Sequence, residues 1–170
     1  MFTCNRLKQK QSQVKRVSRK LSSRREARII ALQTLFQLTV NAQETSRDEA
    51  LAFALEEGDY PEAGFDSISD PYVYTLIEGV QSHQASLDEI IQANLSNWTL
   101  SRLLPIDLTI LRIAIYEMDY VDDEDVPPAV AVNEAIEISR GFSDDKSRKF
   151  ISGVLLNRLH KNDAVLEEDA

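Results

Sequence analysis

Apolar positions recur at helical spacing through most of this chain, and nowhere do they alternate with period two for long. The stretch RREARIIALQTLFQL predicts a first helix. At about 100° per residue, Ala27, Ile30, Ala31, Thr34, Leu35 and Leu38 gather on one broad face, the expected core side. Arg25, Arg28, Ile29, Leu32 and Phe36 gather on the other, with Arg28, Leu32 and Phe36 in one stripe. That stripe has two readings: packing beneath a neighbouring helix, or a surface that sets cations beside an aromatic. Ser22 or Ser23 can cap the helix, with Glu26 in capping-box register to Ser23.

Downstream, a short helical pattern from Glu49 to Glu56 leads into an acidic loop punctuated by Gly58, Pro61 and Gly64. Asp70-Pro71 starts the next helix, with Asp as cap and Pro in the first turn. Tyr72, Leu76, Val80, Leu87, Ile90 and Ile91 keep one helical period to about Leu95. Trp98, Leu100, Leu103 and Leu104 read as an apolar connection, and Pro105 then opens PIDLTILRIAIYEMDYV, apolar enough to be the central helix. VDDEDVPP is a turn. The next helix, AVAVNEAIEISRG, has its natural stop at Gly141. Ser143 or Asp144 caps the last helix, in which Gly153 suggests close helix packing. The expected fold is all-α: a bundle of about six or seven helices, spanning residues 22–162 between an arm at 1–21 and an acidic tail at 163–170.

Charge sharpens this picture. The 170-residue chain carries a formal net charge of −9, yet residues 1–28 hold ten basic side chains against one acid, Glu26. That leaves the first 28 residues at +9 and the rest at −18. A basic arm on an acidic body is a statement about partners: a polyanion is welcome at one end and repelled elsewhere. The arm, polar and without periodicity, reads as disordered. Its composition also fits an organelle transit segment, but its arginines continue into the first helix. No apolar run reaches membrane-spanning length.

Candidate chemistry is sparse. Cys4 is the only cysteine, which excludes an internal disulfide and fits a reducing compartment. His83 and His160 lack ligand-spaced neighbours, so no metal is expected. The five glycines are scattered singly, with no phosphate loop, and no serine sits in a nucleophile elbow. The acids at Asp122 to Asp125 and at Asp144-Asp145 suit a turn and a helix N-terminus. Asn133 and Glu134 suit a buried polar contact or a cap for a neighbouring helix. No enzyme is expected, and no cofactor.

The blocks RREARIIALQTLFQL, LSRLLPIDLTILRIAIYEM and VPPAVAVNEAIEISRGFSDDKSRKFISGVLLNRL resemble, in order and spacing, the NusB family of bacterial transcription antitermination factors, over about residues 22–159. The resemblance implies a two-part helical fold in a cytoplasmic protein. It also implies binding of boxA RNA together with NusE, a small-subunit ribosomal protein, in an antitermination complex with RNA polymerase, NusA and NusG on ribosomal RNA operons. Residue by residue, it implies RNA contact at Arg24, Arg25, Arg28, Phe36, Lys149 and Phe150, and a NusE-proximal position for Asp107. Phe36 stands where many members carry tyrosine, which keeps stacking and loses a hydroxyl. Lys146 replaces a common acid, and Ser152 a common asparagine. Some members pair through the RNA-binding surface, so a monomer or weak homodimer is expected. Two other functions fit the same residues: a helical protein-interaction module, and an RNA-recognition subunit associated with ribosomal RNA modification.

Overall fold

The computed structural model describes residues 24–57 and 70–168. The arm at 1–21, the cap at Ser22 or Ser23, and the loop glycines and proline at 58, 61 and 64 lie outside the described residues. Within them run seven α-helices: α1 (Arg24–Val40), α2 (Arg47–Glu57), α3 (Pro71–Ser82), α4 (Gln84–Ala93), α5 (Pro105–Tyr120), α6 (Pro128–Phe142) and α7 (Asp145–Glu168). A single 3-10 turn, Leu100–Arg102, precedes α5. α5 packs against α1, α3, α4, α6 and α7. It is buried nearly all round, from Thr109 to Met118, as its run of apolar residues predicts. α1 and α2 pair with each other and, through α1, with α3.

The local signals that start these helices are visible side chains. Asp70 accepts a hydrogen bond from the Tyr72 amide at 2.9 Å, and Pro71 fills the first turn of α3. α2 begins earlier than its apolar period, because Ser46 and Glu49 form a reciprocal capping box. The Ser46 amide donates to Glu49 Oε2 at 2.8 Å, and the Glu49 amide to Ser46 Oγ at 3.3 Å. At α7 the cap is Asp144, whose Oδ1 accepts from the Ser147 amide at 2.7 Å. The Ser143 hydroxyl is directed elsewhere, to Asp107 Oδ1.

Several expectations are corrected. The single core face expected of α1 is too narrow: of the two readings of its stripe, packing beneath a neighbour holds for Arg28 and Leu32, which are buried with Ile29, Ile30 and Leu35. α1 is clasped by α2, α3, α5 and α6, so a single apolar stripe underestimates its burial. The segment from Pro71 to Leu95 is two helices, because His83 leaves helical geometry at φ −108°, ψ 12°. There the His83 ring Nδ1 lies 2.8 Å from the Gly79 carbonyl. The apolar period passes through the break, with Leu87 and Ile91 still buried, and so hides it. Gly141 does not stop α6, which continues to Phe142 and ends when Ser143 turns extended. α7 runs to Glu168, well into the segment expected as a tail.

The close packing expected at Gly153 is not found. Gly153 sits on the exposed side of α7, and a Cβ there would meet nothing within 4 Å, so it mediates no packing. The close approach is at Gly79, where a Cβ would lie 2.0 Å from Cζ of Tyr116. Tyr116 stacks on Tyr120 at 5.6 Å between centroids, and His83 meets the Tyr120 ring at 4.2 Å. The missing side chain at Gly79 thus admits an aromatic from α5 and seats the α3–α4 bend on it. Gly79→Ala forces Tyr116 out of this seat and is expected to cost about 1–3 kcal/mol. Gly153→Ala should be neutral or mildly stabilising, since alanine favours helix. Urea unfolding of the two variants measures the contrast.

Candidate nucleic-acid interface

The three arginines at the start of α1 do three different things. Arg28 points inward and is 4% exposed. Its Nε donates to both carboxylate oxygens of Glu117, at 2.9 and 3.0 Å. Glu117 is itself 1% exposed and accepts a further hydrogen bond from the Tyr72 hydroxyl. Arg25 reaches α6, with Nε and Nη2 on the two oxygens of Glu134 at 2.9 and 2.6 Å. The second Arg28 branch approaches the same Glu134 at 3.5 Å. Arg24, exposed, lays its guanidinium over the Tyr72 ring at 3.9 Å from the centroid.

This network explains its electrostatics. Burial pushes the Glu117 carboxyl up from its ordinary value, while Arg28 and the Tyr72 hydroxyl pull it back. Burial, then the Glu117 charge, hold the Tyr72 phenol well above its usual range. Glu134 is lowered, chiefly by the hydrogen bond from Arg25. Of the expected pair on α6, Glu134 makes the polar contact and Asn133 is exposed. An open cleft of about 470 Å³ remains here, lined by the three arginines with Asp125, Val126, Val130 and Glu134. Arg28 is therefore a cation that positions this cleft from beneath, its guanidinium committed to Glu117, while Arg24 and Arg25 are exposed, held against Tyr72 and Glu134.

The other predicted residues gather elsewhere. Phe36, half-buried, lines an apolar groove of about 540 Å³ with Phe53, Leu104, Ile106 and Phe142. Leu104 is 58% exposed and also borders a second groove, of about 270 Å³, that holds Phe150, Lys146, Asp107, Trp98 and Arg102. Phe36, Asp107 and Phe150, remote in sequence, so lie along one continuous surface. Asp107 is 4% exposed and fixed by the Ser143 hydroxyl. Lys149 is exposed beside Phe150, whereas Lys146 is the lysine that lines the groove. Phe36 stands twelve residues along α1 from Arg24, about 18 Å away at the rise of a helix. The arginines and the aromatics therefore form two surfaces joined by α1. Trp98 and Arg102 also line this second groove, although their stretch of sequence reads only as an apolar connection. Among the described residues, no cluster of His, Cys, Asp and Glu could hold a metal, and no helix is long and apolar enough to cross a membrane.

An all-α bundle with arginines at one helix start and an aromatic, lysine-bearing groove at another is a binding scaffold in which recognition is carried by surfaces. Residues 25–160 match the NusB family, and the chain belongs to it. The transcription antitermination protein NusB of Listeria welshimeri is 46% identical over 134 residues, covering 79% of this chain and 94% of that protein. The NusB protein of Enterococcus faecalis is 43% identical over 152 residues, covering 88% and 97%. Among solved structures, T. maritima NusB superposes with a TM-score of 0.66 at 28% identity, covering 82% of this chain and 92% of that one. A crystal structure of antitermination factors NusB and NusE with dsRNA shares the fold, at TM-score 0.62 and 21% identity, covering 79% and 93%.

Two predictions follow from the arginine network. Arg28→Ala strands a buried Glu117 charge and is expected to cost about 3–5 kcal/mol of folding stability. Arg24→Ala, which removes only an exposed cation–π contact, should cost about 1 kcal/mol or less. Denaturant unfolding compares them. Separately, Glu134, lowered in the folded state, contributes stability above its ordinary pKa of 4.5 that is lost as pH falls through the lowered value. In Arg25→Ala the Glu134 carboxyl should titrate at higher pH, as read by carboxyl-carbon NMR. An unchanged titration would contradict the Arg25 hydrogen bond as its cause.

Proposed function

We propose that this chain is a cytoplasmic RNA-binding transcription antitermination factor that engages boxA RNA together with NusE, and so supports transcription of ribosomal RNA operons within the RNA polymerase complex that includes NusA and NusG. The observation that carries the reading is the continuous surface through Leu104, which sets an apolar groove beside a groove bearing an aromatic and a lysine. The apolar half, with Phe36, Phe53 and Phe142, suits a protein partner. The other half, with Phe150 and Lys146 and with Lys149 beside it, suits single-stranded RNA, whose unpaired bases stack on aromatics and whose phosphates meet lysine. Asp107 lines the second groove, three residues from the Leu104 that both share. Arg24 and Arg25 extend the cationic track at the far end of α1, with Arg28 holding that end in place. Phe36 supplies an aromatic to the apolar groove. The role is binding, with no catalytic step assigned to any residue.

The test is a fluorescence-anisotropy titration of boxA-like and scrambled single-stranded RNA, with and without NusE, at one fixed moderate salt concentration. Salt is fixed because a segment of net charge +9 binds any polyanion at low ionic strength. NusE should tighten the boxA complex and leave the scrambled one unchanged. The double substitution Arg24→Ala/Arg25→Ala should weaken both RNAs by a similar factor, as expected of phosphate contacts. Equal binding of the two RNAs, with no effect of NusE, would overturn the reading.

A further inference from the structure

We infer that Trp98, backed by Arg102, is a base-stacking residue of the RNA groove, opposing Phe150 across a site for one unstacked nucleobase; this rests on the RNA-binding reading above. Tryptophan is usually well covered in folded proteins. This one, the only tryptophan of the chain, is 42% exposed.

The exposure is built in by its backbone. Asn97 adopts φ 62°, in the left-handed region that asparagine tolerates better than most residues. The Gln92 side chain of α4 then grips the extended segment on both sides of Thr99. Its Nε2 donates to the Trp98 carbonyl at 3.0 Å, and its Oε1 accepts from the Leu100 amide at 3.2 Å. The 3-10 turn that follows carries Arg102 back over the indole, with its guanidinium 4.7 Å from the ring centroid. The indole is thus held outward by a clamped backbone, with a cation against it.

The groove's other contents match a nucleobase better than an apolar side chain. Trp98 and Phe150 both line it, so two aromatic rings share one space of about 270 Å³. Lys146 supplies a cation for a flanking phosphate. Asp107 and Asp144, which also line the groove, carry carboxylate oxygens that can accept from the amino groups of adenine or cytosine. Arg102 adds its charge to the indole face, and cation–π contact with arginine accompanies base stacking at single-strand sites.

Because the chain has one tryptophan, its emission reports this site alone. The probe is a short boxA-like single-stranded RNA, followed at once by intrinsic fluorescence and by anisotropy, with NusE present and absent. Emission should fall saturably, with the midpoint of the anisotropy curve, and the same sequence in a duplex should leave it unchanged. Trp98→Ala should weaken single-stranded RNA binding by about 5- to 150-fold, and Trp98→Phe should restore most of it. If Trp98→Ala does not fold, the wild-type emission and Trp98→Phe decide the matter. RNA binding with flat emission would overturn the inference and leave the RNA-binding reading standing. So would an emission change produced by NusE alone, which would assign the indole to the protein partner. Absence of RNA binding under every condition would overturn both readings together.

Discussion

A guanidinium carried into a protein interior has to meet a carboxylate there, and the meeting of Arg28 with Glu117 is the constraint around which this molecule is arranged. The pair joins α1 to α5, the Tyr72 hydroxyl brings in α3, and Glu134 of α6 completes the enclosure. Charges so fully withdrawn from water are tolerated only when each hydrogen-bonding position is answered. That requirement fixes the depth and rotation of α1. Once Arg28 is seated, Arg24 falls over the Tyr72 ring and Arg25 falls opposite Glu134. The exposed cations are thus placed by the buried one.

The same helix connects the two surfaces. Its start carries the arginines, and Phe36 near its end borders the apolar groove, which meets the Phe150 groove at Leu104. The wider body is acidic, and the turn from Asp122 to Asp125 brings Asp125 against the arginine cleft. A polyanion therefore finds attraction only along a narrow path, which favours a defined register over diffuse adhesion.

Much of this was legible in the sequence, for reasons that can be named. The apolar density of α5 announces its central position, and Asp70-Pro71 announces the start of α3. The family blocks carry Phe36, Asp107 and Phe150 to one surface. Other features depend on partners far along the chain. Nothing near Arg28 reveals a carboxylate at position 117, so its burial was hidden behind a pattern that reads equally well as a cationic stripe. The break at His83 was masked because Leu87 and Ile91 keep the apolar period through it. Gly79 and Gly153 look alike in sequence; only the Tyr116 ring distinguishes them. Trp98 was absorbed into an apolar connection because its exposure follows from a φ angle at Asn97 and a clasp from Gln92.

The contact between Arg25 and Glu134 has a further consequence for how this surface responds to ionic strength. Glu134 is a counterion that cannot diffuse away, since it is part of the chain. A phosphate arriving at Arg25 meets a pair whose charge is already cancelled, and it gives up less of its own cation atmosphere than it would to an unaccompanied arginine. The salt dependence of binding therefore counts fewer contacts than the geometry contains. In the proposed complex, RNA held at this end of α1 would lose less affinity as salt rises than the number of its arginines suggests.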